Sequence, residues 1–202
     1  MTYIELQKNI ETIADEIISL YEQFGSEDYI GEPVSQIEHM CQSAELAEAN
    51  GADRDTILAA FLHDIGHLYE FAQPKEGVVH MDTFGVVDHE KLGADYLLSK
   101  GFSENVAKMV ASHVNAKRYL TFKYPEYYDL LSEASKNTLL HQGGIMTERE
   151  AAIFESDPLH QKYIALRKWD EKAKLEKQPL PSLTKYRYMI IIHLLENALH
   201  NS

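Results

Sequence analysis

The stretch AAFLHDIGHLYEF, residues 59–71, sets His63, Asp64 and His67 in the middle of an otherwise apolar run. Two imidazoles and a carboxylate are costly in such surroundings unless something satisfies them. If the stretch is helical, His63 and His67 are four residues apart and share a face, while Asp64 lies about 100° around from His63 and can reach the same ion. Taken alone, the motif could equally be a buried polar network.

The segments on either side change that balance. His39 sits in IEHMCQSAELA on the preceding predicted helix, His89 opens a helix in VVDHEKLGADYL, His113 closes one in VASHVNAKRYL, and Asp170 lies in RKWDEKAK. The order His, His-Asp, His, His, Asp across five predicted helices is far more specific than any one of these residues. Six ligands exceed a single tetrahedral zinc site. They suit two ions bridged by Asp64, with His39, His63 and Asp170 on one and His89 and His113 on the other. Four imidazoles with two carboxylates favour iron, manganese or zinc over magnesium or calcium, which prefer oxygen shells. The second ion has few protein ligands, so positions stay open for substrate and for oxygen or water.

Helical signals dominate the rest of the chain. Ile4, Ile10, Ile13, Ile17, Ile18 and Leu20 follow a roughly helical period. After the loop GSEDYIGEP, Ser35 with Glu38 forms a capping-box pattern, and that helix runs to about Asn50. Asp53 can cap the next helix, which carries the HD pair. Residues 72–87 have turn residues and no helical period, a loop of functional length. Further helices are predicted over about 88–99, 103–113, 126–141, 147–155 (with Thr147 and Glu150 as another capping box), 158–175 and 184–199. No segment of useful length has strand period, so the expected fold is all-α, in one domain over 1–202 with its core at about 27–175.

Composition narrows the partners. The net charge of −13 argues against nucleic acid and anionic membrane surfaces. The single cysteine, Cys41, allows no intramolecular disulfide and reads as a small core residue. The N-terminal twenty residues are interrupted by charges, unlike a signal peptide, and no stretch approaches a membrane span, so a cytoplasmic protein is expected. The expected partner is a small molecule.

The segments DYIGEPVSQIEHMCQSAELAEANGAD, ILAAFLHDIGH, FGVVDHEKLGADYLLSKGFSE, SHVNAKRYL, LSEASKNTLLHQGG and RKWDEKAK together resemble the HD-domain superfamily. Within it they resemble the mixed-valent diiron oxygenases that cleave a carbon–phosphorus bond. The resemblance implies an HD-domain helical bundle around a dinuclear site. It also implies a mixed-valent Fe(II)/Fe(III) pair, O2 as co-substrate, and conversion of 2-amino-1-hydroxyethylphosphonate to glycine and phosphate. By the same likeness, His39, His63, Asp64, His89, His113 and Asp170 would hold the irons. Tyr29 and Glu32, in YIGE, match a lid whose tyrosine occupies an iron site until substrate displaces it, and whose glutamate meets the substrate's amino group. His67, Lys117, Ser135 and Arg167 match positions that line the phosphonate pocket.

The chemistry is consistent with that assignment. A phosphonate dianion needs concentrated positive charge in so acidic a chain, which two irons with Lys117 and Arg167 would provide. The substrate nitrogen could instead be a trimethylammonium caged by Tyr29 or by Tyr124, Tyr127 and Tyr128. These tyrosines are equally explained by packing, and the reading leans to the primary amine. A metal-dependent phosphohydrolase on the same core is the leading alternative, with metal-bound hydroxide as nucleophile. A non-catalytic metal-binding module is a third. His80 has no assignable ligand role, and His141, His160, His193 and His200 read as surface or packing residues.

Overall fold

Every regular element among the residues described in the computed structural model, 2–29, 31–72 and 88–200, is a helix. In chain order these are α1 (Tyr3–Phe24), α2 (Gln36–Ala49), α3 (Arg54–Leu62), α4 (Ile65–Phe71), α5 (His89–Ser99) and α6 (Glu104–Lys123). They continue with α7 (Pro125–Leu130), α8 (Glu133–His141), α9 (Glu148–Ser156), α10 (His160–Lys172) and α11 (Leu183–His200). One isolated bridge, Asp28 to Ser35, is the only β pairing among the described residues. The protein is all-α. No described helix is long and apolar enough to cross a membrane. The loop read over 72–87, with His80, lies beyond Ala72 outside the described residues.

Local chemistry starts the helices where the sequence suggested. Ser35 with Glu38 and Thr147 with Glu150 close complete capping boxes, and the Asp53 carboxylate accepts the Thr56 N–H at 2.9 Å. Three boundaries differ from expectation. The run 126–141 is two helices, because Ser132 caps a new one by accepting the Ser135 N–H. The helix expected to close at His113 continues ten residues to Lys123, so His113 sits in mid-helix. The apolar period fades there because Lys117 and Thr121 are polar yet face inward.

The third difference concerns the opening motif. The HD segment is not one helix: α3 ends at Leu62, His63 and Asp64 form the turn, and α4 begins at Ile65. A helix end leaves carbonyls without intrahelical donors. Here Tyr21 donates its hydroxyl to the Phe61 carbonyl at 2.6 Å, and His63 donates its own Nδ1–H to the Ala60 carbonyl at 2.8 Å. Phe61 also stacks between Tyr21 and Tyr186, with ring centroids 4.3 and 4.0 Å away, which fixes α1 and α11 against the broken end of α3. Gly66 completes the arrangement. A Cβ there would lie 2.0 Å from the His89 carbonyl oxygen, so only glycine lets α4 abut the start of α5.

Around this break α2, α3, α6 and α10 pack on one another, with α5 between α4 and α6. Their apolar faces form one cluster that includes Met40, Cys41, Leu58, Leu62, Ile65, Leu97, Met109 and Leu166. Each such side chain contributes about 1.5–3 kcal/mol on burial. Cys41 is a core residue, as its position suggested. The polar side chains of the opening motif therefore sit where the central helices meet.

Candidate metal centre

Four imidazoles and two carboxylates converge at that meeting point. His39 comes from α2, His63 and Asp64 from the α3–α4 turn, His89 from the first position of α5, His113 from α6 and Asp170 from α10, and all six are buried. Asp64 divides its two oxygens. Oδ2 lies 3.6 Å from His39 Nε2 and 3.3 Å from His63 Nε2, while Oδ1 lies 3.3 Å from both His89 Nε2 and His113 Nε2. Asp170 Oδ1 stands 3.3 Å from His39 Nε2 and 4.0 Å from His63 Nε2. The result is two three-residue lobes, His39–His63–Asp170 and Asp64–His89–His113, each with ligand atoms close enough to hold one ion.

The proton inventory shows that the lobes fit cations. His39 Nδ1 faces the Ala173 carbonyl at 2.9 Å, His63 Nδ1 that of Ala60 at 2.8 Å, and His113 Nδ1 that of Val110 at 2.7 Å. A carbonyl only accepts, so each Nδ1 carries a ring proton and each Nε2 points to the centre, beside the Asp64 and Asp170 carboxylates. The His39 and His63 Nε2 atoms are then 3.1 Å apart, as are those of His89 and His113. Two ring nitrogens this close to each other and to a carboxylate call for positive charge at the centre, and a metal ion held by both Nε2 lone pairs would supply it. Metal–imidazole bonds of about 2.1 Å at right angles place two nitrogens about 3.0 Å apart. Asp170 Oδ1, buried and without a hydrogen-bond donor, adds a third open lone pair to the first lobe.

Electrostatics run the same way. Burial opposes charge on Asp64 and Asp170, but the histidines around Asp64 (His63 first) and the Arg167 guanidinium beside Asp170 hold both carboxyls well below the usual range. Burial, with His89 next, holds His67 well below the ordinary imidazole value, so it is neutral.

A cavity of about 70 Å3 opens beside the two lobes, lined by Tyr29, Glu32, Gln36, His67, Lys117, Ser135, Arg167 and Lys174 among others. His67 does not join the ligand set; it stacks on His89 with centroids 4.0 Å apart. Tyr29 stacks on His39 at 4.0 Å, and burial followed by the Asp64 and Asp170 charges keeps its hydroxyl protonated. Lys117 is buried and donates to Thr138 Oγ1 at 2.8 Å; burial, with Arg167 next, pushes its ammonium down to about 7. Arg167 donates to Asp170 Oδ2, to Glu171, to Ser135 Oγ at 2.8 Å and to Tyr127 Oη at 3.2 Å. Ten of the twelve residues that the resemblance singled out line this cavity, and the other two, His39 and His63, stand behind it in the first lobe. Sequence reasoning missed Lys174 and Ser132, which both bind Glu32 Oε1, at 2.8 and 2.5 Å. The only hint of Lys174 was its spacing, four residues after Asp170.

Comparison with known proteins places this arrangement. Residues 37–161 match the HD domain family. An uncharacterized protein of Acanthamoeba polyphaga mimivirus is 47% identical over 96% of this chain and 85% of its own length. A protein of Leisingera caerulea named 1-hydroxy-2-(trimethylamino)ethyl phosphonate dioxygenase (glycine-betaine-forming) is 39% identical over 90% of each chain. A hydroxymethylphosphonate dioxygenase of Gimesia maris is 35% identical over 87% of each. With the helical fold and the divided Asp64 carboxylate on the same residues that the family match spans, the chain belongs to the HD-domain family and stands among its phosphonate dioxygenases.

Proposed function

We propose that this protein is a diiron oxygenase that cleaves the carbon–phosphorus bond of a 1-hydroxy-2-aminoethylphosphonate-type substrate. The products are glycine, or an N-methylated glycine, and phosphate. The observation that carries the reading is Asp64, whose two oxygens each serve a separate pair of histidines beside a cavity walled by Lys117 and Arg167. The named activities of the two dioxygenase relatives support it, since both act on phosphonates hydroxylated at C1.

The stoichiometry is self-contained: 2-amino-1-hydroxyethylphosphonate plus O2 equals glycine plus phosphoric acid, atom for atom. No external reductant is needed. A mixed-valent Fe(II)/Fe(III) pair in the two lobes would supply oxygen activation and Lewis acidity toward the C1 hydroxyl and a phosphonate oxygen. The chain's own residues bind, orient and exclude water. Lys117 and Arg167 set N–H donors on the cavity wall, Arg167 with its charge already balanced by Asp170 and Glu171. His67, being neutral, can share a proton with a phosphonate oxygen. Tyr29 covers His39 and must move for a ligand to reach that lobe. Water alone has no ester leaving group to expel from a C–P bond, which favours oxidation over the phosphohydrolase alternative.

The test is incubation of iron-loaded protein with 2-amino-1-hydroxyethylphosphonate in air and under strict anaerobiosis, with phosphate and glycine measured. Equimolar phosphate and glycine should form only with O2. Phosphate release that continues without O2 would sink the oxygenase and favour the hydrolase.

Lys117 yields a pH prediction. A lysine depressed to about 7 carries its charge below that pH and loses it above. Binding of the phosphonate should therefore weaken as pH rises through that value, showing as a fall in kcat/KM. In Lys117→Arg the charge persists, so the ratio of wild-type to variant profiles should drop across neutrality. Lys117→Met should lower kcat/KM about 10- to 100-fold on the acid side, the worth of a charged hydrogen bond. A ratio flat from pH 6 to about 8 would exclude Lys117 as a phosphonate-binding cation.

A further inference from the structure

Glu32 already holds a cation. Lys174 Nζ lies 2.8 Å from Glu32 Oε1 and 3.3 Å from Glu171 Oε1, and the two partners' side chains are 14% and 8% exposed for Lys174 and Glu32. Lys174 cannot drift away from this place. The carbonyl before it, of Ala173, receives His39 Nδ1–H, and the residue after it, Leu175, exchanges two hydrogen bonds with the Gln42 side chain at 3.0 and 2.9 Å. Glu32 is set from the other side by a turn closed from its N–H to the Tyr29 carbonyl at 2.9 Å, with Gly31 at φ 79 in the position that favours glycine. The two residues, 142 apart in sequence, meet at the cavity wall from two fixed backbones.

We propose that Lys174 is a specificity-determining residue: its ammonium occupies the Glu32 carboxylate as a resident stand-in for a substrate ammonium, and a phosphonate carrying a primary amine enters by exchange with it. The proposal rests on the phosphonate reading above and deepens it. A carboxylate paired with one ammonium has no net charge left to attract a second. An internal competitor also acts at high effective concentration. On exchange, Glu171 takes up the released Lys174, so charge stays balanced within the pocket. A primary ammonium can replace the hydrogen bonds that Lys174 and Ser132 give Glu32. A trimethylammonium has no N–H and cannot. A phosphonate without nitrogen leaves the pair intact.

Binding of non-reacting analogues tests this separately from turnover. Iron-loaded, anaerobic protein is titrated by calorimetry with 2-aminoethylphosphonate, ethylphosphonate and the trimethylated analogue, none of which bears the C1 hydroxyl. Wild type should bind the primary amine more tightly than the trimethylated compound. Lys174→Met should raise the preference for 2-aminoethylphosphonate over ethylphosphonate about tenfold, the effect of removing the competitor. Lys174→Arg should leave that preference near wild type, and Ser132→Ala should shift it the same way as Lys174→Met but less. If Lys174→Met does not fold, Ser132→Ala and Lys174→Arg decide alone. An unchanged or reduced preference on loosening Glu32 overturns the proposal, as does a wild type that favours the trimethylated analogue or binds none of the three. Failure of oxygen-dependent phosphate release would overturn the oxygenase reading instead and leave the binding preference readable.

Discussion

Asp64→Asn should strip both metal ions from the protein at once. The substitution barely changes shape, but it removes the one carboxylate whose two oxygens face the two histidine pairs. An amide has a single acceptor oxygen and no charge, so neither lobe keeps its anionic ligand from this position. Iron in the purified variant should fall below about a tenth of the wild-type content, since even supporting residues cost 10- to 100-fold in metal affinity. The comparison that gives the result meaning is His89→Ala. That change touches only the lobe of Asp64, His89 and His113 and should leave an ion in the other. Helical circular dichroism should persist in both variants, because the packing of α2, α3, α6 and α10 is independent of the charge. Asp64→Asn protein that keeps one full equivalent of iron would show that the two lobes are held separately.

Arg167→Met should have the largest effect on the folded protein itself. The guanidinium is buried and donates to Asp170, Glu171, Ser135 and Tyr127, so its loss leaves the buried Asp170 carboxylate and Ser135 hydroxyl without that donor, while Glu171 keeps Lys174. Removing one partner of a buried ion pair costs about 3–5 kcal/mol. In a chain of 202 residues that corresponds to a fall in Tm of about 6–20 °C. Arg167→Lys restores the charge without the planar fork and should recover only part of that stability. Its KM for the phosphonate should remain well above wild type if Arg167 also serves the substrate. A Tm within about 2 °C of wild type in Arg167→Met would mean that the network contributes nothing to the fold.

The six converging side chains were legible because metal coordination would need particular residue types, and the spacing of His39, His63–Asp64, His89, His113 and Asp170 survives any shift of a helix boundary. The break at His63–Asp64 was not legible. An unbroken apolar run such as AAFLHDIGHLYEF reads as one helix, and the reason for Gly66 lies in the His89 carbonyl of another helix. The continuation of α6 past His113 was hidden by its own polarity, since Lys117 and Thr121 put polar groups on an inward face and erase the apolar period. The division at Ser132 had a local signal, a cap residue followed by Glu133, that the surrounding helical pattern outweighed. Lys174 on Glu32 is an ion pair between distant segments, and the spacing of Lys174 after Asp170 says nothing of that partner.

The arrangement bears on how a chain of net charge −13 would hold the dianion proposed as its substrate. Four carboxylates, Asp64, Asp170, Glu32 and Glu171, stand at or beside the cavity, and Arg167 is already paired with two of them, so Lys117 is the protein cation left to meet a phosphonate. Surface charge is screened within about 8–10 Å at physiological salt, so metal ions in the two lobes would supply most of the attraction for a phosphonate.

Anomalous diffraction at the iron edge, from crystals of freshly prepared protein, addresses the centre most directly. Two peaks are predicted, one among His39, His63 and Asp170 and the other between His89 and His113, with one oxygen of Asp64 on each. A single peak, or an Asp64 carboxylate bound to only one of two ions, would contradict the account.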